Sequence, residues 1–346
     1  MANYRVFYPC HSVAIGEYAS ASGLPVHGVQ SVNMTTSFST EQVFELGQLD
    51  IYENIENLPD IELTVEKVLD GHPLIYFLAS MGATTPTLLN RTNQRSDVFL
   101  SVFSDAEDNA SGTPMVQAYC SGVYVNSLTY TLPVEGSATE SVSFVGNDKI
   151  WITSSGDHWY ENQGFAFTGQ FDGTDAPPSG VQRRQHVKMG NAAAGGSIWP
   201  TNIPGVTVTT GSGYNVLDAG QYGAHIQDVT ISVNLGREDL YELGRRKPYY
   251  RYANFPTEVE TVINLTAGGD QPGDVINADS NVDNLSNEPI VIKLEDGTVF
   301  DLGTRNKLSN VSYSGGDTGG GVVSITYTFQ NYNILTVTAP HDPQSL

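Results

Sequence analysis

The sequence predicts an all-β protein made of two tandem antiparallel β-sandwich domains, each with one short helix. Three observations predict this fold. The chain has 35 Gly in 346 residues, is rich in Thr, Ser, Val and Tyr, and shows few long amphipathic helical patterns, which is typical of all-β proteins. Residues 29–66 recur as residues 226–263, and a similar hairpin pattern follows each copy. The length suffices for two cores of roughly 100–150 residues each.

The first repeated block aligns without a gap at a constant offset of 197 residues, and eleven of its 38 positions are identical. A period near 200 residues is too long for a solenoid and indicates two homologous domains. The identical pairs are Gln30/Gln227, Val32/Val229, Glu41/Glu238, Glu45/Glu242, Leu46/Leu243, Gly47/Gly244, Tyr52/Tyr249, Asn57/Asn254, Pro59/Pro256, Thr64/Thr261 and Val65/Val262.

The second block pairs residues 125–144 with residues 308–327 at an offset of 183. Both copies alternate apolar and polar residues on either side of a glycine-bearing turn, which predicts a β-hairpin. The predicted organisation of the chain is an N-terminal preface at 1–28, a first domain at 29–153, a segment rich in Gly, Ser and aromatic residues at 154–222, a second domain at 223–338 and a tail at 339–346.

The shared motif E-x-x-x-E-L-G within the first block has the features of a short helix. Glu41 and Glu45 lie four residues apart, and acids in a first turn suit the helix dipole. Gly47, like Gly244 in the second copy, stands where a left-handed glycine ends a helix. We therefore expect one or two helical turns in each copy.

An Asn-x-Pro step then leads into a strand in both copies. The steps lie at residues 57–59 and 254–256, and the residue before a proline favours an extended backbone. The strands that follow alternate in residues 61–65 and 259–263, but their apolar phases differ by one position at the fixed offset. We therefore expect a bulge or a local shift in one copy.

The sequence offers little catalytic or metal-binding chemistry. Asp157-His158 in a Gly/Ser-rich loop is more typical of a turn than of a catalytic dyad. The acidic segment 268–283 lacks the spacing of a calcium loop, and a hairpin turn explains the glycines of residues 315–321. We expect no enzyme activity, no cofactor and no metal site.

The charge, the hydropathy and the cysteine count limit the partners and the cellular compartment that we expect for the protein. A formal net charge of −22 argues against a basic surface that grips nucleic acid. No apolar run approaches 18 residues, so we expect no membrane span. The first residues show no apolar signal core, and the two cysteines predict free thiols. We expect maturation in a cytoplasm.

The succession of strand, E-x-x-x-E-L-G, an arm bearing Tyr52 or Tyr249, Asn-x-Pro, strand and closing hairpin resembles bacteriophage tail tube proteins and their relatives in tail hubs and contractile injection machines. The resemblance implies a β-sandwich with one helix at its side and a long loop for stacking. It also implies that the inner sheets of neighbouring subunits join into a β-barrel around a channel, in rings that stack. A duplicated chain implies three chains in a pseudo-sixfold ring, with six chains as the alternative. The 154–222 segment has no equivalent in that pattern.

The function that the resemblance implies is a tail tube subunit of the virion, assembled in the host cytoplasm together with other tail proteins. An acidic channel would let DNA pass without binding it, although acidity also simply favours solubility. A tail hub, distal ring or adaptor protein is the first alternative. A capsid decoration, head-fibre or carbohydrate-binding β-sandwich protein is the second.

The two copies differ in the charge of the arm that follows the E-x-x-x-E-L-G motif. The first arm is acidic and the second is basic, so we expect an acidic arm to meet a basic arm of a neighbouring chain. The alternative is that residues 245–247 are a solvated helix end placed to suit the helix dipole. The candidate contact residues are Glu45, Asp50, Glu53, Glu56, Arg245, Arg246, Lys247 and Arg251.

Overall fold

The structure is a computed structural model, and it describes residues 8–19, 22–103, 114–153, 166–167, 179–189, 224–267, 287, 289–315 and 323–340. Their regular secondary structure is almost entirely β-strand, as the composition predicts. The motif candidates Asp157-His158 and 268–283 lie outside the described residues, as does most of 315–321.

Strands of the first repeat and its flanks make up most of the N-terminal half. They are β1 (His11–Glu17), β2 (Ser22–Pro25), β3 (Val29–Ser37), β4 (Thr40–Phe44), β5 (Ile51–Glu56), β6 (Asp60–Val68), β7 (Ser96–Val102), β8 (Val116–Pro133), β9 (Thr139–Gly146), β10 (Asp148–Thr153), β11 (Ala166–Phe167) and β12 (Val187–Met189). The short helices between β6 and β7 are α1 (Ile75–Leu78) and α2 (Leu88–Thr92).

The second repeat contains nine described strands, six of which follow the order of their counterparts in the first repeat. The nine strands are β13 (Ala224–Asn234), β14 (Arg237–Leu240), β15 (Tyr250–Ala253), β16 (Glu258–Ala267), β17 (Val291–Leu294), β18 (Val299–Asp301), β19 (Lys307–Ser314), β20 (Ser324–Tyr332) and β21 (Thr336–Thr338). Single turns of 3-10 helix lie at Tyr8–Cys10 and Arg184–His186.

Eight antiparallel strands form one sheet that both repeats share. Its order is β3-β6-β9-β8-β13-β16-β20-β19, so the first four strands come from the first repeat and the last four from the second. The sandwiches that the sequence predicts are therefore joined edge to edge, through β8 and β13. We call this sheet the shared sheet.

Two further layers cover one face of the shared sheet. The first half of β8 continues into a second layer with β7, β1, β2 and β10, and the strands β12, β17, β18 and β21 form a four-stranded sheet. Apolar side chains from all three layers make one continuous core cluster. At its centre the rings of Tyr130 and Phe300 lie 4.5 Å apart. The all-β, antiparallel sandwich-like architecture is thus confirmed, and a smaller separate cluster of Ala14, Phe99, Tyr119 and Ile152 lies in the second layer.

The expectation of a helix at each E-x-x-x-E-L-G motif is wrong. Each motif begins a β-hairpin instead, β4–β5 in the first repeat and β14–β15 in the second, and both short α-helices lie in the first repeat. Gly47 and Gly244 have φ angles of +100° and +86°, which suit a tight turn as well as a helix end. A helix of seven residues is not stable on its own in water, and the Val, Ile and aromatic residues around the motif favour strands.

The two repeats share irregularities as well as strand order. β3 and β13 both carry a bulge at the same place, between Val29 and Ser31 and between Ile226 and Asp228. β8 and β19 share another, at Asn126 and Ser309. Bulges are retained among related strand pairs, so these shared bulges align the two repeats residue by residue.

The expected shift after the Asn-x-Pro step is present in the second repeat. Val32 pairs with Val65, while its equivalent Val229 pairs with Ile263, so β6 and β16 correspond at an offset of 198. The additional residue is Thr257, whose N–H donates to Asn333 at 2.7 Å. The identities at 64/261 and 65/262 therefore do not mark equivalent positions.

A buried carboxylate organises the segment that contains α1. Glu140 accepts hydrogen bonds from the N–H groups of Ile75 at 2.6 Å and Tyr76 at 3.1 Å, and from the Tyr130 hydroxyl at 3.1 Å. It lies opposite Lys67 in the β6–β9 ladder. Burial raises the pKa of Glu140, and the charge of Lys67 and these donors oppose the rise.

Candidate functional site: an assembly surface

The junction between β8 and β13 is the strand pairing that joins the repeats. Ile231 lies directly opposite Tyr130, and Val233 lies opposite Leu128. Beyond the last pair, the N–H of Leu235 donates to the carbonyl of Asn126 at 2.9 Å. Apolar side chains on the core side of this junction are fully buried, so the two edges are complementary in both hydrogen bonding and packing.

The free edges of the shared sheet repeat the same two strands. β3 corresponds to β13 at an offset of 197, and β19 corresponds to β8 at an offset of 183, as the shared bulges show. Phe38 is 77% exposed where its equivalent Leu235 is 1% exposed, and Tyr313 is 59% exposed where Tyr130 is fully buried. Among the described residues, β3 and β19 each pair with a strand on one side only, so each free edge lacks the neighbour that its counterpart has inside the chain.

The face of the shared sheet that points away from the core is polar. Ser, Thr and Asn side chains cover the junction strands, and carboxylates project from neighbouring strands. Ser31 donates to Glu66 at 3.2 Å, and Asn264 donates to Asp228 at 2.7 Å. Carboxylates on this face include Asp228 of β13, Glu62 and Glu66 of β6, and Glu258 and Glu260 of β16.

The second hairpin, β14–β15, folds over the first repeat and is anchored there by Arg237. Its guanidinium donates to the carbonyls of Val125 at 2.8 Å, Arg251 at 3.3 Å and Thr92, and lies 4.9 Å from the centre of the Tyr124 ring. Burial lowers the pKa of Arg237 to about 10, so the group stays charged at neutral pH.

Replacing Arg237 with Ala is expected to destabilise the chain by about 2–3 kcal/mol, because it leaves three carbonyl acceptors without their charged donor. The matched control is Thr40→Ala, which removes the exposed side chain at the equivalent position and should change the free energy of unfolding by about 0.5 kcal/mol or less. Urea unfolding of both variants checks this, and equal midpoints for the two would contradict the anchoring role.

The basic residues of the second arm contact groups of the same chain. Lys247 pairs with Asp148 at 2.8 Å, and Arg246 donates to the carbonyl of Glu56 at 2.7 Å. Arg251 pairs with Asp239 at 2.9 Å and with Asp60 at 3.4 Å. Arg245 pairs with Glu242 at 3.0 Å in its own hairpin. The second arm is therefore held against the acidic first repeat of its own chain.

The acidic residues of the first arm are exposed. Glu45 accepts a hydrogen bond from Gln48 within the turn, and Asp50, Glu53 and Glu56 lie on the exposed hairpin β4–β5. Their role between subunits stays a prediction. Sequence reasoning missed that the hairpin tips also expose apolar side chains; the repeated Leu of the E-L-G motif was the available signal. The exposed apolar residues are Phe44, Leu46, Leu49, Tyr241 and Leu243.

Three general properties complete the description. Cys10 and Cys120 are buried free thiols, as the sequence predicts, and burial raises the pKa of Cys120 to about 11. Within the described ranges no group of three His, Cys, Asp or Glu residues is placed to hold a metal ion. No helix in the part of the chain that the structure describes is long and apolar enough to cross a membrane.

No family model matches the sequence, and no curated protein matches it. Solved structures are similar to part of the chain. The tube-terminating cap of the anti-feeding prophage is 15% identical, with a TM-score of 0.33 over 44% of this chain and 95% of that chain. The sheath/tube terminator of the PVC extracellular contractile injection system is 14% identical, with a TM-score of 0.33 over 44% of this chain and 100% of that chain. A type six secretion system protein is 15% identical, with a TM-score of 0.25 over 43% and 87% of the chains. TM-scores this low carry no argument about what this chain does.

Proposed function

We propose that this protein is a structural tube subunit of a phage-tail-like particle, whose chains join edge to edge into rings. The observation that carries the proposal is the duplicated junction. The strand pair β8–β13, buried inside the chain, recurs as the exposed pair β19 and β3 at opposite ends of the shared sheet. A head-to-tail contact of this kind closes into a ring when its rotation closes.

The register of the contact between chains follows from the register inside the chain. Ile231 opposite Tyr130 corresponds to Met34 opposite Tyr313 of the next chain, and Ser232 opposite Thr129 corresponds to Thr35 opposite Ser312. This arrangement covers Phe38 and Tyr313, and it satisfies the open backbone groups of two edge strands that would otherwise invite aggregation.

The polar face of the shared sheet would then line the channel. Its carboxylates and its Ser, Thr and Asn side chains suit a passage for a polyanion such as DNA, because phosphate groups find few cations to bind there. Three chains would contribute six repeats to each ring, and six chains are the alternative. Stacked rings would form the tube.

Negative-stain microscopy and native mass spectrometry of the purified chain test the proposal. Tubes of uniform bore are the expected result, and the mass of a ring gives the number of chains. Isolated rings that never stack would favour the hub, distal ring or adaptor function instead. A stable monomer at micromolar concentration would contradict assembly through the free edges and would favour a decoration or carbohydrate-binding protein.

An engineered disulfide tests the register. Thr35 and Ser312 correspond to a pair that is not hydrogen-bonded directly, and such pairs have Cα atoms about 4.5 Å apart, within disulfide range. The double variant Thr35→Cys/Ser312→Cys should form covalent oligomers on oxidation. The control Thr35→Cys/Asn310→Cys lies two residues out of register and should cross-link poorly. Cys10 and Cys120 are buried and should stay unreacted.

A further inference from the structure

Beside the junction of β8 and β13, the second hairpin, β14–β15, packs against the residues of β8 that precede its bulge. The ring of Tyr250, on β15, meets the ring of Tyr124 edge to face, with centroids 6.0 Å apart. Arg237, on β14, covers the same Tyr124 ring and donates to the carbonyl of Val125. An aromatic contact thus fastens the hairpin of one repeat to the sheet of the other.

The alignment of the repeats gives the residues that would meet at the same place between chains. Tyr124 lies just before the β8 bulge, and its equivalent before the β19 bulge is Lys307. Tyr250 pairs with Leu240 in the second hairpin, and the equivalent pair in the first hairpin is Glu53 with Val43. A carboxylate and an ammonium group therefore replace the two tyrosine rings.

Both groups are accessible, and each lies near other groups that carry the same charge as itself. Glu53 is exposed on β5, within an arm whose other charged residues are acids. Lys307 is exposed at the start of β19, two residues after the exposed Arg305. The position equivalent to Arg305 is Gly122, which lines the pocket beside Tyr249 and Tyr250. A cation at this position therefore also faces the first arm.

We propose that the acidic first arm docks on the basic start of β19 in a second copy of this chain, and that Glu53 pairs there with Lys307 of the neighbouring chain. The inference rests on the proposed edge contact between β19 and β3, and it names the partner of the acidic arm. It differs from a contact between acidic and basic arms, because Lys307 belongs to β19 and not to the second arm.

A charge-reversal cycle tests the pair. The variants Glu53→Lys and Lys307→Glu should each raise the concentration at which assembly begins by about fivefold to tenfold at low salt, since like charges would then face each other at every contact. The double variant Glu53→Lys/Lys307→Glu should return this concentration close to the wild-type value. The effect should shrink in high salt, because exposed charges are screened.

Glu135→Lys is the matched control, because it reverses an exposed acid in the turn between β8 and β9, outside the first arm. It should assemble like the wild-type chain, and all four variants should keep the wild-type melting temperature as dilute monomers. Single variants that assemble normally, or a double variant no better than the singles, would overturn the pair. If the wild-type chain itself does not assemble, or if Thr35→Cys/Ser312→Cys does not cross-link, the edge contact fails first, which distinguishes the two outcomes.

Discussion

Replacing Thr36 with proline is expected to abolish assembly while the single chain stays folded. Thr36 is equivalent to Val233, which lies opposite Leu128 of β8. The N–H of Val233 points toward β8, so the N–H of Thr36 points to the open side of β3, away from β6. Proline is tolerated on an edge strand when the missing N–H faces solvent, so the pairing of β3 with β6 should survive. The lost ladder bond and the ring's steric clash cost on the order of 3 kcal/mol, about a hundredfold in affinity.

Two controls accompany Thr36→Pro. Thr36→Val keeps the N–H but removes the hydroxyl that Lys149 contacts, and it should assemble like the wild-type chain. Thr35→Pro removes an N–H on the side of β6 and should destabilise the monomer. Sedimentation and microscopy measure assembly, and circular dichroism measures folding. Normal tubes from Thr36→Pro would refute pairing through β3.

Replacing Glu140 with Ile is expected to lower the free energy of unfolding by about 3–5 kcal/mol, because several buried hydrogen-bond donors lose their acceptor at once. Three donors would lose their acceptor, and the buried Lys67 would lose the attraction of the Glu140 charge while keeping its ion pair with Asp70 at 3.3 Å. Ile is the residue of the second repeat at this place, because Leu265 and Ile325 occupy the positions of Lys67 and Glu140.

Glu140→Gln is the shape-matched control. Its amide oxygen still accepts from some of these donors. The free energy of unfolding of Glu140→Gln should therefore lie between the values for the wild type and for Glu140→Ile. Urea unfolding measures all three proteins. A Glu140→Ile variant as stable as the wild type would show that the α1 segment does not depend on this carboxylate.

Much of the fold follows from the sequence because alternation and repetition are local signals. The strands after the Asn-x-Pro steps, the closing hairpins and the one-residue difference of phase were all readable in residues 57–65 and 254–263. The motif around Gly47 was misread because a left-handed glycine after two acids fits a helix end and a hairpin turn equally well. The flanking β-branched residues were the better guide.

Other features depend on partners that are distant in the chain. Nothing local to β8 or β13 predicts that they pair, so the shared sheet appears only in the structure. Alternation also places Lys67 and Glu140 on the core side of their strands, where charged residues are rare. The basic arm was readable as an interacting surface, but its partners Asp148 and Asp60 in the same chain were not.

The covalent link between the repeats changes the kinetics of ring building. Because β8 pairs with β13 within one molecule, every second junction of a ring would form during unimolecular folding, at a rate independent of protein concentration. Only the junctions between β19 and β3 would need a diffusional encounter, and they alone would set the reaction order. Because both repeats lie in one chain, the junction within a chain and the junction between chains can also differ in sequence. The first then keeps an aromatic contact, while the second uses a salt-sensitive ion pair.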